Sequence, residues 1–126
     1  METVLIADDE ENIREGLKYI MDWGSLGLEV CAEAANGEET LRLILDKNPG
    51  IVLLDLHMPK IHGIDVIRMA REQGYQGRFI ILSGYSDFSY AQSAIRYGVT
   101  NYLTKPIDED ELQKTVEQIR NDMEKE

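Results

Sequence analysis

Short apolar runs alternate with helical patterns along the whole chain. Four mostly apolar runs predict strands, and a more polar run predicts a fifth strand. The predicted strands span residues 3–7, 29–34, 51–54, 79–82 and 99–103. The run at 51–54 is continuously apolar, which is typical of a central strand that is covered on both faces. The run at 29–34 contains Glu29 and Glu33, which favours a position at the edge of a sheet.

The segments between and after these runs carry apolar residues three or four positions apart, a spacing that forms one apolar face of an α-helix. The apolar positions of the five predicted helices are Ile13, Leu17, Ile20 and Met21; Leu41, Ile44 and Leu45; Ile64, Ile67 and Ala70; Phe88, Ala91, Ala94 and Ile95; and Leu112, Val116, Ile119 and Met123. Asn36, Asp108 and the pair Ser86-Asp87 are suited to cap the starts of three of these helices. The segment 22–27 interrupts the first helical pattern with two glycines and predicts a loop.

This order of elements predicts the architecture. Strands that alternate with helices form βαβ units, whose crossovers give a mostly parallel sheet with helices on both faces. A chain of 126 residues has the size of one domain. The sequence therefore predicts a single, doubly wound α/β domain over residues 1–126.

Composition narrows the possible functions. The net charge is −11, which argues against nucleic-acid binding by this chain, because phosphate backbones attract Lys and Arg. The chain contains no run of 18 apolar residues, so no membrane span is predicted. Cys31 is the only cysteine and cannot form an internal disulfide, which fits a reducing cytoplasm.

Charged and polar residues suited to phosphate or metal chemistry follow four of the five predicted strands. They are Asp8-Asp9, Asp55, Ser83 and Lys105-Pro106. In open parallel sheets, functional groups gather at the carboxyl ends of the strands, so these side chains are predicted to share one crevice. Three carboxylates without a cation repel one another, and their hard oxygen ligands suit Mg²⁺.

Asp55 is the predicted nucleophile of this crevice. An aspartyl carboxylate can attack phosphorus and form an acyl phosphate. A phosphoryl group in transfer carries three oxygens that need compensation, and Mg²⁺, the Lys105 ammonium and the Ser83 hydroxyl could each serve one. The sequence shows no well-placed general base and no obvious substrate pocket.

With these motifs in view, the chain resembles the receiver domain of two-component response regulators over about residues 2–124. The resemblance is carried by four motifs: VLIADDE at 4–10, LLDLHMP at 53–59 with Gly63, ILSG at 81–84 and YLTKP at 102–106. It implies the flavodoxin-like receiver fold with strand order 2-1-3-4-5. It also implies a signalling switch that catalyses only its own phosphotransfer and dephosphorylation.

The resemblance implies a magnesium site. Asp55 corresponds to the phosphoacceptor of the family. Asp9 and Asp55 correspond to direct Mg²⁺ ligands, together with the backbone carbonyl of His57. Asp8 corresponds to a ligand that acts through water.

The resemblance also implies a switch. Ser83 corresponds to the hydroxyl that moves toward the phosphoryl group, and Lys105 to the cation that pairs with it. The Lys105–Pro106 bond is expected to be cis, and Tyr102 to be the aromatic residue that changes orientation. Phosphorylation would then alter the surface of helix four, strand five and helix five, where five of the nine aromatic residues lie: Tyr85, Phe88, Tyr90, Tyr97 and Tyr102.

Two segments and a connector give a finer resemblance, to receivers attached to AraC-type DNA-binding domains. These are residues 86–91, residues 98–108 and the extended connector around Trp23. The expected partners are a histidine kinase and, on phosphorylation, a second copy of the chain. An output domain that binds DNA is expected to be absent from this chain, with a stand-alone receiver as the alternative.

Two other functions remain open from the residues alone. An aspartate-nucleophile phosphatase of the haloacid dehalogenase type uses a similar Asp, Mg²⁺, hydroxyl and Lys. It also has a second Asp two residues after the nucleophile, where this chain has His57. A flavodoxin-like nucleotide or flavin binder would need a phosphate-binding loop after the first strand, where this chain has acidic residues 8–11.

Overall fold

The computed structural model describes residues 2–84, 88–99 and 101–125. Five parallel strands form one sheet in the order β2-β1-β3-β4-β5. The strands are β1 (Glu2–Ala7), β2 (Leu28–Ala34), β3 (Ile51–Asp55), β4 (Arg78–Ser83) and β5 (Asn101–Thr104). The fold class, the strand order and the edge position of β2 are thereby confirmed.

Five α-helices connect or follow the strands. They are α1 (Glu11–Tyr19), α2 (Gly37–Lys47), α3 (Gly63–Glu72), α4 (Phe88–Ile95) and α5 (Glu109–Glu124). Two of the predicted caps form: Asn36 Oδ1 accepts from the N–H of Glu39 at 2.8 Å, and Asp108 Oδ2 accepts from that of Glu111 at 3.0 Å. The predicted cap at Ser86-Asp87 lies outside the described residues.

The structure differs from the sequence prediction by one residue at most strand ends and more clearly in three places. The predicted loop at 22–27 contains a short 3₁₀-helix, Trp23–Leu26, because Asp22 caps it and the buried Trp23 indole donates to Leu17 O at 3.1 Å. Helix α1 ends at Tyr19, before the apolar Ile20 and Met21. Strand β5 starts at Asn101 rather than at Val99, whose N–H instead donates to Ala94 O at the end of α4.

The sheet is covered on both faces. Alternate residues of β1 point to opposite sides, as the pleat requires. Val4 and Ile6 pack with residues of α1 and α5, whereas Leu5 and Ala7 pack with residues of α2, α3 and α4. Because both faces are covered, the polar ends of the strands are left as the place where functional groups can gather. No helix in the described part of the chain is long and apolar enough to cross a membrane.

Candidate functional site

Four strand ends place the predicted chemical groups at one edge of the sheet. Asp8 directly follows β1, Asp55 and Ser83 are the last residues of β3 and β4, and Lys105 directly follows β5. Asp8, Asp9 and Asp55 form a carboxylate cluster in which one oxygen from each side chain lies within 4.8 Å of the others. Asp8 and Asp55 are buried and Asp9 is exposed, so the cluster opens to solvent on the side of Asp9.

Lys105 joins the two buried carboxylates. Its ammonium donates to Asp8 Oδ2 at 2.9 Å and lies 3.4 Å from Asp55 Oδ2. The other oxygens are held by the main chain: the N–H of Glu10 donates to Asp8 Oδ1 at 2.9 Å, and that of His57 to Asp55 Oδ1 at 3.2 Å. Asp8 therefore has two short contacts, while the contacts of Asp55 are longer.

Burial and neighbouring charges shift the pKa values of Asp55 and Lys105. Burial raises the pKa of Asp55 above its ordinary value and the negative charge of Asp8 adds to this, although Lys105 and the N–H of His57 act in the opposite direction. Burial alone would lower the pKa of Lys105, but its hydrogen bond with Asp8 and the charges of Asp55 and Asp8 outweigh that effect and raise it. One ammonium does not neutralise three carboxylates, so the site retains an affinity for a further cation.

The donor set fits Mg²⁺. The carboxylate cluster offers only oxygen ligands, which Mg²⁺ prefers, and the exposure of Asp9 leaves room for bound water. The hydroxyl of Ser83 is buried and has no hydrogen-bond partner among the described residues. A buried hydroxyl without a partner is unfavourable, so this site has an unused hydrogen-bonding group available for a ligand.

The groups predicted for the switch lie beside this site. The backbone N–H of Lys105 donates to Ser83 O at 2.8 Å, and the Lys105–Pro106 peptide bond is cis. The hydroxyl of Tyr102, a half-buried residue, donates to Gly84 O at 2.9 Å. Tyr102 is thus tied to the residue that directly follows Ser83. Tyr85, the aromatic residue two positions after Ser83, lies outside the described residues.

The His57 side chain is exposed but belongs to a ring cluster. Its imidazole makes edge-on contacts with the rings of His62, at 5.3 Å between centroids, and Tyr90, at 5.8 Å. His62 Nδ1 accepts from the N–H of Ile64 and caps α3. The sequence does not indicate the contact between His57 and Tyr90, because it joins the loop after β3 to α4 across a long stretch of chain.

Arg14 is a residue at the site that the sequence pattern does not indicate. Its Nη1 donates to the backbone carbonyl of Asp8 at 2.7 Å, and its Nε donates to Glu33 Oε1 at 3.1 Å. Lys18, one turn further along α1, binds the other oxygen of Glu33 at 2.7 Å. The one sign of this role in the sequence is that Arg14 is a basic residue among acidic ones near the start of α1, close to the end of β1.

An apolar hollow of about 350 Å³ lies between α4 and β5. It is lined by Ile81, Ala91, Gln92, Ile95, Val99 and Tyr102, together with Asn101. Ile95, a large aliphatic side chain in the lining of this α4–β5 hollow, is 61% exposed, so the hollow presents apolar surface to solvent.

Comparison with known proteins agrees with this geometry. Residues 4–117 match the family model of the response regulator receiver domain. The chain is 39% identical over 119 residues to the uncharacterized transcriptional regulatory protein YesN of Bacillus subtilis, covering 94% of this chain and 32% of that protein. It is 39% identical over 110 residues to the transcriptional regulatory protein HptR of Staphylococcus aureus, covering 87% of this chain and 43% of that protein.

Solved structures show the same similarity. The receiver domain of AraT, a response regulator from Geobacillus stearothermophilus, superposes with a TM-score of 0.92 at 42% identity, over 98% of this chain and 96% of that one. A two-component transcriptional regulator AraC from Clostridium phytofermentans superposes with a TM-score of 0.87 at 30% identity, over 96% and 94% of the two chains. The chain spans less than half the length of the two curated relatives described above.

Proposed function

Because this chain belongs to the response regulator receiver family, we propose that it is a phosphorylation-activated switch in which Asp55 accepts a phosphoryl group from a histidine kinase. One observation carries this proposal: the buried Asp55 carboxylate lies within 4.8 Å of two other carboxylates and 3.4 Å from the Lys105 ammonium. Phosphotransfer to Asp55 and the later loss of the group are the only reactions assigned to the domain.

The carboxylate cluster is the proposed magnesium site. Asp9, Asp55 and the backbone carbonyl of His57 would hold Mg²⁺ directly, and Asp8 through a water molecule. The bound ion would offset the negative charge of the incoming phosphoryl group. The carboxylate cluster supports this assignment, because its oxygens suit a hard cation and their mutual repulsion needs one.

The protein's own groups perform the transfer. A carboxylate oxygen of Asp55 forms a bond to phosphorus while the bond from phosphorus to the histidine nitrogen of the kinase breaks, and its electron pair stays on the imidazole. Lys105 compensates charge on one phosphoryl oxygen. The Ser83 hydroxyl, which lacks a partner among the described residues, donates to another.

The proposed output runs through Tyr102. Movement of Ser83 toward the phosphoryl group would displace Gly84, and with it the carbonyl that Tyr102 binds at 2.9 Å. Tyr102 lines the α4–β5 hollow, so its reorientation would change a surface on which a second copy of the chain is proposed to dock. Since the relatives named as transcriptional regulators are longer than this chain, a DNA-binding output domain is the proposed target of control. A stand-alone receiver is the alternative.

Mass spectrometry with phosphoramidate as donor tests the proposed acceptor. In the presence of Mg²⁺, wild type should gain one phosphoryl group and Asp55→Asn should gain none. Asp65→Asn is the matched control, because Asp65 is an exposed carboxylate on α3 whose side chain is 54% accessible. A folded wild-type protein that gains no phosphoryl group, or an Asp55→Asn variant that still gains one, contradicts the proposal. Light scattering before and after phosphorylation tests the proposed dimer.

A further inference from the structure

The main chain at Asp8, in the carboxylate cluster, is held by the side chain of Arg14 on α1. Arg14 uses two different nitrogens: Nη1 donates to the carbonyl of Asp8 at 2.7 Å, and Nε donates to the carboxylate of Glu33 at 3.1 Å. The Arg14 side chain is only 15% exposed. It therefore links the turn that carries Asp8 and Asp9 to strand β2.

Glu33 is itself fixed in place. Lys18 binds its second carboxylate oxygen at 2.7 Å, and Lys18 also pairs with Glu15 on α1. Lys18, and to a smaller extent Arg14, hold the pKa of Glu33 below its usual range, so this carboxylate is ionised at neutral pH and can hold the guanidinium.

We propose that Arg14 is a positioning residue for the magnesium site, which sets the affinity for Mg²⁺ by holding the Asp8 backbone so that Asp8 and Asp9 face Asp55. This inference rests on the proposed magnesium site. The Asp8 carboxylate accepts from Glu10 and Lys105, and its carbonyl accepts from Arg14, so the residue is restrained through both its side chain and its main chain. Residues that orient metal ligands in this way are commonly needed for full affinity.

The direction in which the Mg²⁺ affinity changes when Arg14 is removed distinguishes a positioning role from a purely electrostatic one. A guanidinium beside a cation site repels the cation, so if charge alone mattered, removing Arg14 would strengthen Mg²⁺ binding. If Arg14 positions the ligands, removing it weakens binding despite the loss of a positive charge. The two roles therefore predict changes in opposite directions.

Titration calorimetry of the unphosphorylated protein with MgCl₂ measures the direction of this change in Mg²⁺ affinity. Arg14→Met removes both hydrogen bonds, and Met has a helix propensity close to that of Arg. Lys18→Met is the matched control, because it removes a positive charge from the same Glu33 but no contact to Asp8. We expect Arg14→Met to bind Mg²⁺ roughly tenfold more weakly than wild type, and Lys18→Met to stay within about twofold of wild type.

A second measurement distinguishes lost affinity from a damaged site. With phosphoramidate as donor, the phosphorylation rate of Arg14→Met should recover to near the wild-type rate at saturating Mg²⁺. If Arg14→Met does not fold, as judged by circular dichroism, Arg14→Lys replaces it. Since lysine offers one nitrogen in place of two, its Mg²⁺ affinity should also fall while its charge is unchanged.

Each outcome decides the question. An Arg14 variant that binds Mg²⁺ as tightly as wild type or more tightly, or a loss shared equally by Lys18→Met, overturns the role of Arg14 and leaves the magnesium site intact. A wild-type protein that binds no Mg²⁺ overturns both. A loss confined to Arg14, with recovery of the rate at high Mg²⁺, supports the inference.

Discussion

Arg71 on α3 binds three backbone carbonyls, two in the loop between α3 and β4 and one just after α4. Its guanidinium donates to the carbonyls of Tyr75 at 2.8 Å, Gly77 at 2.9 Å and Tyr97 at 2.9 Å. The cation also lies 5.1 Å from the ring centroid of Phe79. Burial lowers the pKa of Arg71 from its ordinary value, yet the group stays charged at neutral pH.

Replacement of Arg71 by Met removes these hydrogen bonds while keeping helix propensity nearly constant. Three bonds at about 1 kcal/mol each give an expected loss of about 3 kcal/mol in the free energy of unfolding. Part of that loss comes from carbonyl groups left without a donor in a partly buried place.

The control is Arg68→Met, three residues earlier on the same helix. Arg68 is 40% exposed and pairs only with the exposed acids Asp65 and Glu72 in the described contacts, so its loss should cost less than about 0.5 kcal/mol. Urea unfolding followed by circular dichroism measures both variants. If Arg71→Met loses no more stability than Arg68→Met, the three carbonyl contacts contribute nothing measurable and the reasoning is refuted.

Three further predictions concern other parts of the molecule. In Gly63→Ala, the new Cβ would lie 2.7 Å from Leu56 Cα, a backbone atom that cannot yield, so urea unfolding should show a loss of about 2 kcal/mol; an unchanged midpoint contradicts this. Tyr75→Phe removes a buried hydroxyl that donates to Pro49 O at 2.6 Å, and the same assay should show a loss of 1–2 kcal/mol, about what an unpaired carbonyl costs. Addition of Mg²⁺ should raise the thermal midpoint of wild type but not of Asp9→Asn, since only a folded state that binds the ion is stabilised; equal shifts argue against the site.

The part of the site that the sequence predicted is the part that topology determines. Each of these residues lies at or just after a strand end: Asp8, Asp55, Ser83 and Lys105. Parallel strands bring their carboxyl ends to one edge of the sheet whatever the details of packing. Apolar runs locate the strands, so the position of these residues follows from local pattern and from the handedness of the crossovers.

The missed features depend on how far individual side chains reach. The sequence pattern does not reveal the role of Arg14, because its two partners lie six and nineteen residues away, on different elements. Two nearby glycines predict a loop at Trp23, but burial of its ring stabilises a short helix there. Neither contact leaves a periodic trace in the sequence, so only the three-dimensional structure shows them.

The unequal restraint of the two buried carboxylates fits their different proposed roles. Asp8 receives a hydrogen bond from Lys105 at 2.9 Å, another from Glu10 at 2.9 Å, and a third at its carbonyl from Arg14. Among the described residues, the carboxylate contacts of Asp55 are longer, at 3.2 and 3.4 Å, and burial raises its pKa. Asp8 would orient a water ligand of the cation and must stay in place, whereas Asp55 would both hold the cation and form a new bond to phosphorus. Lys105 lies nearer to Asp8 than to Asp55. Phosphorylation would add negative charge at Asp55, the carboxylate that Lys105 contacts less closely, and this added charge should draw the Lys105 ammonium toward Asp55.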